Sequence, residues 1–150
     1  MLKKRSIHYV SAGQGPCIRY GGQEMNVKLG AAQSNGDLTI IEDVIPPDSG
    51  PPLHIHQKED ESYYVLEGTF EFVCGQDHVN GGVGTFVFAP RGLPHRYKNI
   101  GKSIGRMLFS FTPGGIEDFF TELGAQPELN PAIMTEIARR HKITILPPAP

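Results

Sequence analysis

The sequence predicts an all-β domain, a sandwich or barrel of short strands, that ends in two short helices. Gly and Pro are frequent, at 18 and 13 of 150 residues, which suits many strands joined by tight turns. Between Leu38 and Phe111, short segments of alternating or β-branched residues recur between turn signals. After residue 114 the apolar spacing changes from every second residue to every third or fourth. These patterns together predict a β core with a C-terminal helical extension.

The predicted strands form a barrel core over about 38–112, within a single domain of residues 1–150. They cover 38–45, 53–57, 62–67, 69–74, 85–89, 95–100 and 106–111, with a turn over 75–80. Residues 1–36 carry turn signals and three weakly marked strands, near 5–10, 17–20 and 25–32.

Two helices are predicted in a C-terminal extension over about 115–141. The first ends at Gly124, and its apolar stripe consists of Ile116, Phe119, Phe120 and Leu123. The second begins with Asn130 as N-cap and Pro131 at the first helical position. Its stripe consists of Ile133, Met134 and Ile137. We expect both stripes to pack against the outside of the barrel, and residues 143–146 to add a late strand.

The composition excludes several classes of function. Lys plus Arg is 14 and Asp plus Glu is 16, so neither nucleic acid nor an anionic membrane is an expected partner. The basic N-terminus is not followed by an apolar run, and no stretch reaches the length of a membrane span. The two cysteines, Cys17 and Cys74, cannot build a disulfide framework. We therefore expect a reducing, cytoplasmic location.

His54 and His56 are the first candidates for a metal site. They are separated by one residue in a predicted strand, so their side chains point to the same face, with Cα atoms roughly 6–7 Å apart. Imidazoles placed in this way can converge on one ion at about 2.1 Å from each nitrogen. His-x-His pairs also occur on surface strands, and for the pair alone that alternative stays open.

Two further residues could complete such a site. Glu61 follows the acidic loop residues 59–60 and opens an aromatic-rich strand, where a purely solvating carboxylate has less reason to lie. Asp60 is the competing carboxylate. His95 comes directly after the turn over 90–94, and its alternative is a surface histidine beside Arg96. A carboxylate that joins histidines makes the open facial site of oxygen-activating iron and related metals.

These residues lie in two motifs that resemble those of the cupin family. The first cupin motif resembles the segment His54-x-His56-x4-Glu61-x6-Gly68, and the second matches Gly84-x5-Pro90-x-Gly92-x2-His95-x3-Asn99 at every fixed position. Residues 38–124 are similar to the small, single-domain, quercetin-dioxygenase-like cupins. The resemblance implies a cupin-type double-stranded β-helix, or jelly-roll, barrel followed by two short helices.

The resemblance also implies a ligand set for one divalent metal ion, namely His54, His56, Glu61 and His95. Iron, manganese, nickel, zinc and cobalt are all compatible with nitrogen and oxygen ligands. The family pattern places a glycine six residues before the first histidine, where this sequence has Asp48. That glycine shapes a turn and is not a ligand, so the departure leaves the metal site intact.

The alternation of side chains along each strand predicts which residues line a pocket beside the metal. Two tyrosines lie two residues after candidate ligands in their strands and so share their parity, and further apolar faces alternate inward. We expect substrate contacts from Tyr63, Phe72, Tyr97, Met107 and Phe109, with the tyrosine hydroxyls orienting the substrate. Ordinary barrel core is the alternative for each of them.

Three functions fit these features. We favour a metal-dependent dioxygenase of the quercetin-2,3-dioxygenase type, acting on a small aromatic or enol-type compound, with Glu61 as a catalytic base if it leaves the metal. A metal-dependent isomerase, epimerase or lyase would normally use Lys or Arg, but Arg96 and Arg106 have the wrong parity and only Arg91 could compensate. A non-catalytic small-molecule-binding module is the third. We also expect a homodimer, because an open sheet edge needs cover.

Overall fold

The computed structural model describes residues 6–148, in which two antiparallel β-sheets enclose one apolar core. The strands are β1 (Cys17–Tyr20), β2 (Gln23–Leu29), β3 (Thr39–Ile45), β4 (His54–His56), β5 (Asp60–Glu67), β6 (Phe70–Cys74), β7 (Asp77–Gly81), β8 (Phe86–Ala89), β9 (His95–Asn99), β10 (Gly105–Thr112) and β11 (Ile143–Ile145). The helices are α1 (Ala31–Ser34), α2 (Glu117–Gly124) and α3 (Pro131–Arg140). The predicted all-β architecture with two short C-terminal helices is confirmed.

The chain alternates between the two sheets. One sheet has the order β1-β2-β3-β10-β5-β8, and the other has the order β11-β4-β9-β6-β7. From β3 to β6 each successive strand lies in the opposite sheet, and the same holds from β7 to β10. This crossing places β4 and β9 of one sheet together with β5 of the other, and these are the strands that carry the candidate ligands.

Strand alternation builds the core between the sheets. Along β3, Thr39, Ile41, Asp43 and Ile45 are buried, whereas the residues between them are half-buried. The strand β10 alternates in the same way and buries Met107, Phe109 and Phe111. The rings of Tyr63 and Phe109 meet edge to face with their centroids 5.2 Å apart. Each fully buried side chain of this size contributes about 1.5–3 kcal/mol, so the inward faces hold the barrel rigid around the site.

The N-terminal strand predictions are only partly confirmed. The strand β1 lies at the predicted 17–20, but the strand predicted over 25–32 ends at Leu29 because α1 begins two residues later. Of the strand predicted over 5–10, residue 5 lies outside the described residues and 6–10 have no regular structure. Ile7 and Tyr9, the apolar residues of that pattern, are exposed and have no surface to pack against.

The turn predicted over 75–80 is wrong beyond its first two residues. Residues 77–81 form β7, an edge strand that pairs only with β6. Its side chains are exposed along almost its whole length. The strand is therefore held by backbone hydrogen bonds to β6, and it carries no buried alternation that the sequence could have revealed.

The C-terminal extension is anchored to the barrel through β11. This strand pairs antiparallel with β4, with Ile143 opposite His56 and Ile145 opposite His54. The helix α3 begins as predicted, because the Asn130 side chain accepts a hydrogen bond from the Ile133 N–H at 2.9 Å. Of the helices within residues 6–148, none combines the length and apolar character needed to cross a bilayer. The extension is thus fixed beside the strand that carries the paired histidines.

Candidate metal centre

Four candidate ligands from three strands converge inside the barrel. His54 and His56 come from β4, Glu61 from β5 and His95 from β9. Both β4 histidines point inward because alternate residues of a strand share a face, and His54 lies opposite His95 in the sheet register. All four side chains are buried, with at most 9% of any residue exposed. One possible ligand atom from each lies within 4.8 Å of the others.

The donor atoms have the spacing that one ion requires. Glu61 Oε2 lies 2.9 Å from Nε2 of His95 and 3.2 Å from Nε2 of His56. With metal–ligand bonds of about 2.1 Å, adjacent ligands of an octahedral ion are about 3 Å apart and opposite ligands about 4.2 Å apart. Three imidazoles and one carboxylate also suit a divalent transition metal. The group therefore could hold such an ion.

The outward nitrogen of each imidazole is engaged by a hydrogen-bond acceptor. Nδ1 of His54 lies 2.8 Å from the carbonyl oxygen of Pro52, and Nδ1 of His95 lies 2.9 Å from that of Leu93. Nδ1 of His56 lies 3.3 Å from a carboxylate oxygen of Glu59, which is itself buried. With an ion bound, donation from Nδ1 would hold each ring in the tautomer whose Nε2 is free to ligate the metal.

Burial and charge act in opposite directions on these groups. Burial, together with the positive charges on His95 and His56, lowers the pKa of His54 to about 3. Burial also disfavours the charged form of His56, but hydrogen bonds to Glu59 and Glu61 raise its pKa to about 9. For Glu61, burial is outweighed by hydrogen bonds from His56 and His95, which hold its pKa below the ordinary value. Two carboxylates beside three imidazoles make a site that favours a cation.

Asp60, the carboxylate that competed with Glu61 in the sequence, is not part of the cluster. Its oxygens accept two hydrogen bonds from the Arg91 guanidinium, at 2.9 and 3.1 Å. The next residue in that turn, Gly92, donates its N–H to the carbonyl oxygen of His56 at 2.8 Å and has a φ of 80°. The Gly92 bond joins the turn before β9 directly to β4, the strand that carries His54 and His56.

A cavity of about 190 Å³ lies beside the candidate ligands. Of the five residues predicted to contact substrate, Tyr97 and Phe109 line it. Tyr63, Phe72 and Met107 do not line it and are packed in the core with at most 2% of each residue exposed. Direct ligand contact by these three therefore stays a prediction.

Much of the remaining wall comes from segments that sequence analysis did not assign to the site. It includes Tyr20, Met25, Phe119, Phe120, Leu123, Met134, Ile143 and Ile145. Four residues of the two helical stripes, Phe119, Phe120, Leu123 and Met134, thus also line the cavity, which the sequence did not predict. Pairing of β11 with β4 draws α2 and α3 to the cavity, where the Phe120 ring stacks on Tyr20 at 6.1 Å. Adjacent phenylalanines at 119–120 were the one available signal.

Comparison with known proteins agrees with this arrangement. The family model described as a cupin domain matches residues 41–111. The uncharacterised protein MJ1618 of Methanocaldococcus jannaschii is 30% identical over 94 residues, which cover 62% of this chain and 71% of that protein.

Solved structures are also similar to this chain. KdgF from a Halomonas species matches with a TM-score of 0.66 and 15% identity, over 76% of this chain and 99% of that chain. An RmlC-like cupin from Shewanella frigidimarina matches with a TM-score of 0.64 and 21% identity, over 76% of this chain and 96% of that chain. A predicted oxalate decarboxylase from Thermotoga maritima matches with a TM-score of 0.57 and 28% identity, over 61% of this chain and 80% of that chain. At their identities the first two show the fold, a double-stranded β-helix barrel.

Proposed function

Because this chain belongs to the cupin superfamily, we propose that it binds one divalent metal ion through His54, His56, Glu61 and His95. We further propose that it is a metal-dependent dioxygenase that acts on a small aromatic or enol-type compound. Iron, manganese, nickel or cobalt would serve this chemistry, whereas zinc would favour a Lewis-acid reaction.

The observation that carries the proposal is the alignment of the three imidazoles. Their ring centroids lie only 4.4 to 5.3 Å apart, and every Nδ1 is engaged on the outside. Buried imidazoles and a carboxylate packed together desolvate several polar groups, which costs free energy unless they are compensated. A cation at their centre would offset the desolvation of all four groups at once. A purely structural role gives no reason for four such groups to be buried together.

The volume of the cavity limits the size of the substrate. A cavity of about 150 Å³ is known to hold one benzene molecule, so about 190 Å³ accommodates one ring with a few substituent atoms. The wall is largely apolar, which suits an aromatic or enol-type body with its oxygens directed to the metal. We therefore favour a one-ring compound over a three-ring flavonol.

The metal ion and the residues of the chain would have different roles in the reaction. A redox-active ion, when bound, would supply the activation of dioxygen and the polarisation of the substrate oxygens. Among the described residues that line the cavity, Glu61 is the only carboxylate, so it is the candidate base for an enol or phenol hydroxyl proton. It would serve as a base only after it leaves the metal ion. Phe109 and the helical residues exclude water from the substrate.

An isomerase, epimerase or lyase of anionic sugars or acids has less support. Among the described residues that line the cavity there is no Lys or Arg. The three arginines considered for this role are paired elsewhere: Arg91 with Asp60, Arg96 with Glu71 and Arg106 with Glu42. An anionic substrate would therefore have the metal ion as its only positive partner in the cavity.

Elemental analysis of the purified protein tests the metal site. We compare wild type with the His54→Ala/His95→Ala double variant and with His78→Ala, in which an exposed histidine paired with Glu71 is removed. The expected result is about one equivalent of metal in wild type and in the control, and loss in the double variant at unchanged folding by circular dichroism. Equal metal content in all three, or none after reconstitution with each candidate ion, would contradict the proposal.

Oxygen consumption tests the reaction. Metal-loaded protein is supplied with a catechol, an enolised 1,3-diketone and a flavonol, and dissolved oxygen is followed with an electrode. We expect consumption with a one-ring or diketone compound, none in the double variant and little with the flavonol. Binding of the small compounds without oxygen consumption would replace the dioxygenase with a binding module.

We also propose that the chain forms a homodimer through β8. This strand is one of the two edges of the six-stranded sheet. It has no charged residue and exposes Phe86 and Phe88 beside Tyr64 of β5. Two copies of β8 that pair antiparallel about a two-fold axis would cover this edge in each copy. The exposed aromatic rings of the two copies would then lie side by side. Light scattering after size exclusion should give a dimer for wild type and a monomer for Phe86→Glu/Phe88→Glu; a wild-type monomer would contradict the proposal.

A cytoplasmic location also belongs to the proposal. Cys17 and Cys74 are both free thiols, and Cys17 is exposed. Exposed free thiols persist in a reducing compartment, which supports this location.

A further inference from the structure

A buried amide lies in the wall of the cavity, outside the set of candidate ligands. Apart from those ligands, Gln23 of β2 and Tyr97 of β9 are the buried polar side chains that line the cavity within residues 6–148. Gln23 is 6% exposed and lies opposite Tyr20 in the β1–β2 hairpin. Tyr20 also lines the cavity, so the end of this hairpin forms part of its wall.

Hydrogen bonds fix the orientation of this amide. Tyr97 donates its O–H to Oδ2 of Asp43, at 3.2 Å. Its oxygen can then only accept from the amide, which accordingly places Nε2 of Gln23, and not Oε1, 2.9 Å from Tyr97 Oη. The reverse orientation would bring two oxygens together with no proton between them. Oε1 of Gln23 therefore points away from Tyr97.

This Oε1 atom is an acceptor that the protein leaves available. Within the described part of the chain, no group donates a hydrogen bond to it. The side-chain atoms that are sealed from solvent without a partner in that part of the chain are Asp43 Oδ1 and Tyr63 Oη, so Oε1 of Gln23 is accessible, and the side chain that carries it lines the cavity. A ligand that displaces water from such an acceptor without replacing the hydrogen bond binds less well. The amide can thus discriminate between ligands of equal size.

We infer that Gln23 determines specificity, because its Oε1 accepts a hydrogen bond from an O–H or N–H donor on the ligand that the metal centre holds. This inference rests on the proposed function and narrows its substrate class. The cavity of about 190 Å³ is lined both by Gln23 and by three of the candidate ligands, so a single ring held at the metal extends to the amide. The substrate therefore carries, besides its metal-binding oxygens, one further donor on its ring. Tyr97 is a positioning residue, since it holds the amide in this orientation.

A purely structural role for Gln23 predicts a different outcome. If its amide only joins β2 to β9 through Tyr97, its replacement changes stability but not the choice between ligands of equal size. Ligand pairs that differ in one donor group therefore separate the two roles.

The test uses hydroxamates, which chelate divalent metals, as probes of protein loaded with Co²⁺. Benzohydroxamates with a hydroxyl group at ring position 3 or 4 are compared with the corresponding fluoro compounds, in which a group of similar size has no proton to donate. Dissociation constants are measured from the visible spectrum of the cobalt ion. The variants are Gln23→Met, which removes the amide at nearly constant size, Tyr97→Phe, and Gln76→Met as a matched control at an exposed glutamine that does not line the cavity. Circular dichroism checks that each variant is folded.

The expected result in wild type is a preference of about five-fold for one hydroxy isomer over its fluoro partner, the worth of one net hydrogen bond. Gln23→Met should bring this ratio to one or below, and Gln76→Met should leave it unchanged. Tyr97→Phe should lower the preference, because the released amide can turn. Comparison of each variant with wild type cancels the electronic effect of the substituent on the chelating group.

Two sets of results would overturn the inference in different ways. A ratio of one in wild type that binds these hydroxamates, or a preference that survives in Gln23→Met, overturns the role of Gln23 alone. Should Gln23→Met fail to fold, an undiminished preference in Tyr97→Phe does the same, because the amide would then not act in the orientation that Tyr97 imposes. No binding of Co²⁺ or of any hydroxamate overturns the proposed function and this inference together.

Discussion

We predict that Glu59 strengthens metal binding at the proposed site without being a ligand, and its removal tests the described geometry. The carboxylate is 3% exposed and lies 3.3 Å from Nδ1 of His56. In Glu59→Ala this imidazole N–H loses its acceptor inside the protein. We expect weaker metal binding because the ring is no longer held in the ligating tautomer and orientation.

The size of the effect follows from the contact. Loss of a carboxylate that orients a ligating histidine typically weakens metal binding about 10–100-fold, or about 1.4–2.8 kcal/mol. The 3.3 Å separation is long for a hydrogen bond to a charged acceptor, so we expect the lower end, about ten-fold. Glu59→Gln keeps an acceptor but loses the charge, and should lie between Glu59→Ala and wild type.

The assay is competition for Zn²⁺ or Co²⁺ between the protein and a chromophoric chelator. Asp60→Ala is the matched control, because it removes a carboxylate from the next position in the chain, where it pairs with Arg91 instead of a ligand. Its metal affinity should stay within about two-fold of wild type, since exposed ion pairs contribute little. Thermal unfolding of the metal-free proteins checks that both variants are folded.

One pattern of results would refute this reasoning. If Asp60→Ala weakens metal binding as much as Glu59→Ala, the effect is general electrostatics of the acidic loop and not orientation of His56. Unchanged affinity in Glu59→Ala would likewise remove the role assigned to its carboxylate.

Three further predictions concern stability, each measured by thermal or urea unfolding. Asp48 has a φ of 60°, so Asp48→Gly should raise the free energy of unfolding by about 0.5–1 kcal/mol while Asp48→Ala lowers it. The buried Asn99 amide makes three hydrogen bonds to backbone groups, and Asn99→Ala should cost about 2–4 kcal/mol. A Cβ on Gly50 would overlap the carbonyl oxygen of Tyr97, so Gly50→Ala should cost more than about 2 kcal/mol. A Cβ on Gly82 would make only an ordinary van der Waals contact with the carbonyl oxygen of Gly68, so Gly82→Ala should cost little. An opposite sign for Asp48→Gly, or equal effects for the two glycines, would contradict these assignments.

The barrel strands could be predicted where burial leaves an alternating pattern. This was so for β10, whose inward residues Met107, Phe109 and Phe111 alternate with Arg106, Leu108 and Ser110. The strand β7 could not, because an exposed edge strand carries no alternation and its Asp, Asn and Gly residues are typical of turns. Ile7 and Tyr9 show the converse, an alternating pattern without a surface to pack against.

The ligand cluster could be predicted because ligands are side chains at fixed spacing, and His54, His56, Glu61 and His95 do come together. The acceptors behind the histidines could be predicted less well. Two of them are backbone carbonyls, which any residue supplies, so no sequence signal exists for them. Glu59 did leave a signal, since it has the parity of Glu61, but it was hidden within an acidic loop.

The asymmetric construction of the cavity has a consequence for how such proteins diversify. All four candidate ligands lie inside the stretch 41–111 that the family model matches, whereas β1, β2, α2, α3 and β11, which supply much of the apolar wall, lie outside it. The candidate ligands and much of the apolar wall of the cavity thus lie in different parts of the chain. Substitutions or insertions before residue 41 or after residue 111 could change the shape of the cavity without changing the candidate ligands. Exchange of these segments between two members of the family should therefore transfer ligand preference while the bound ion stays the same.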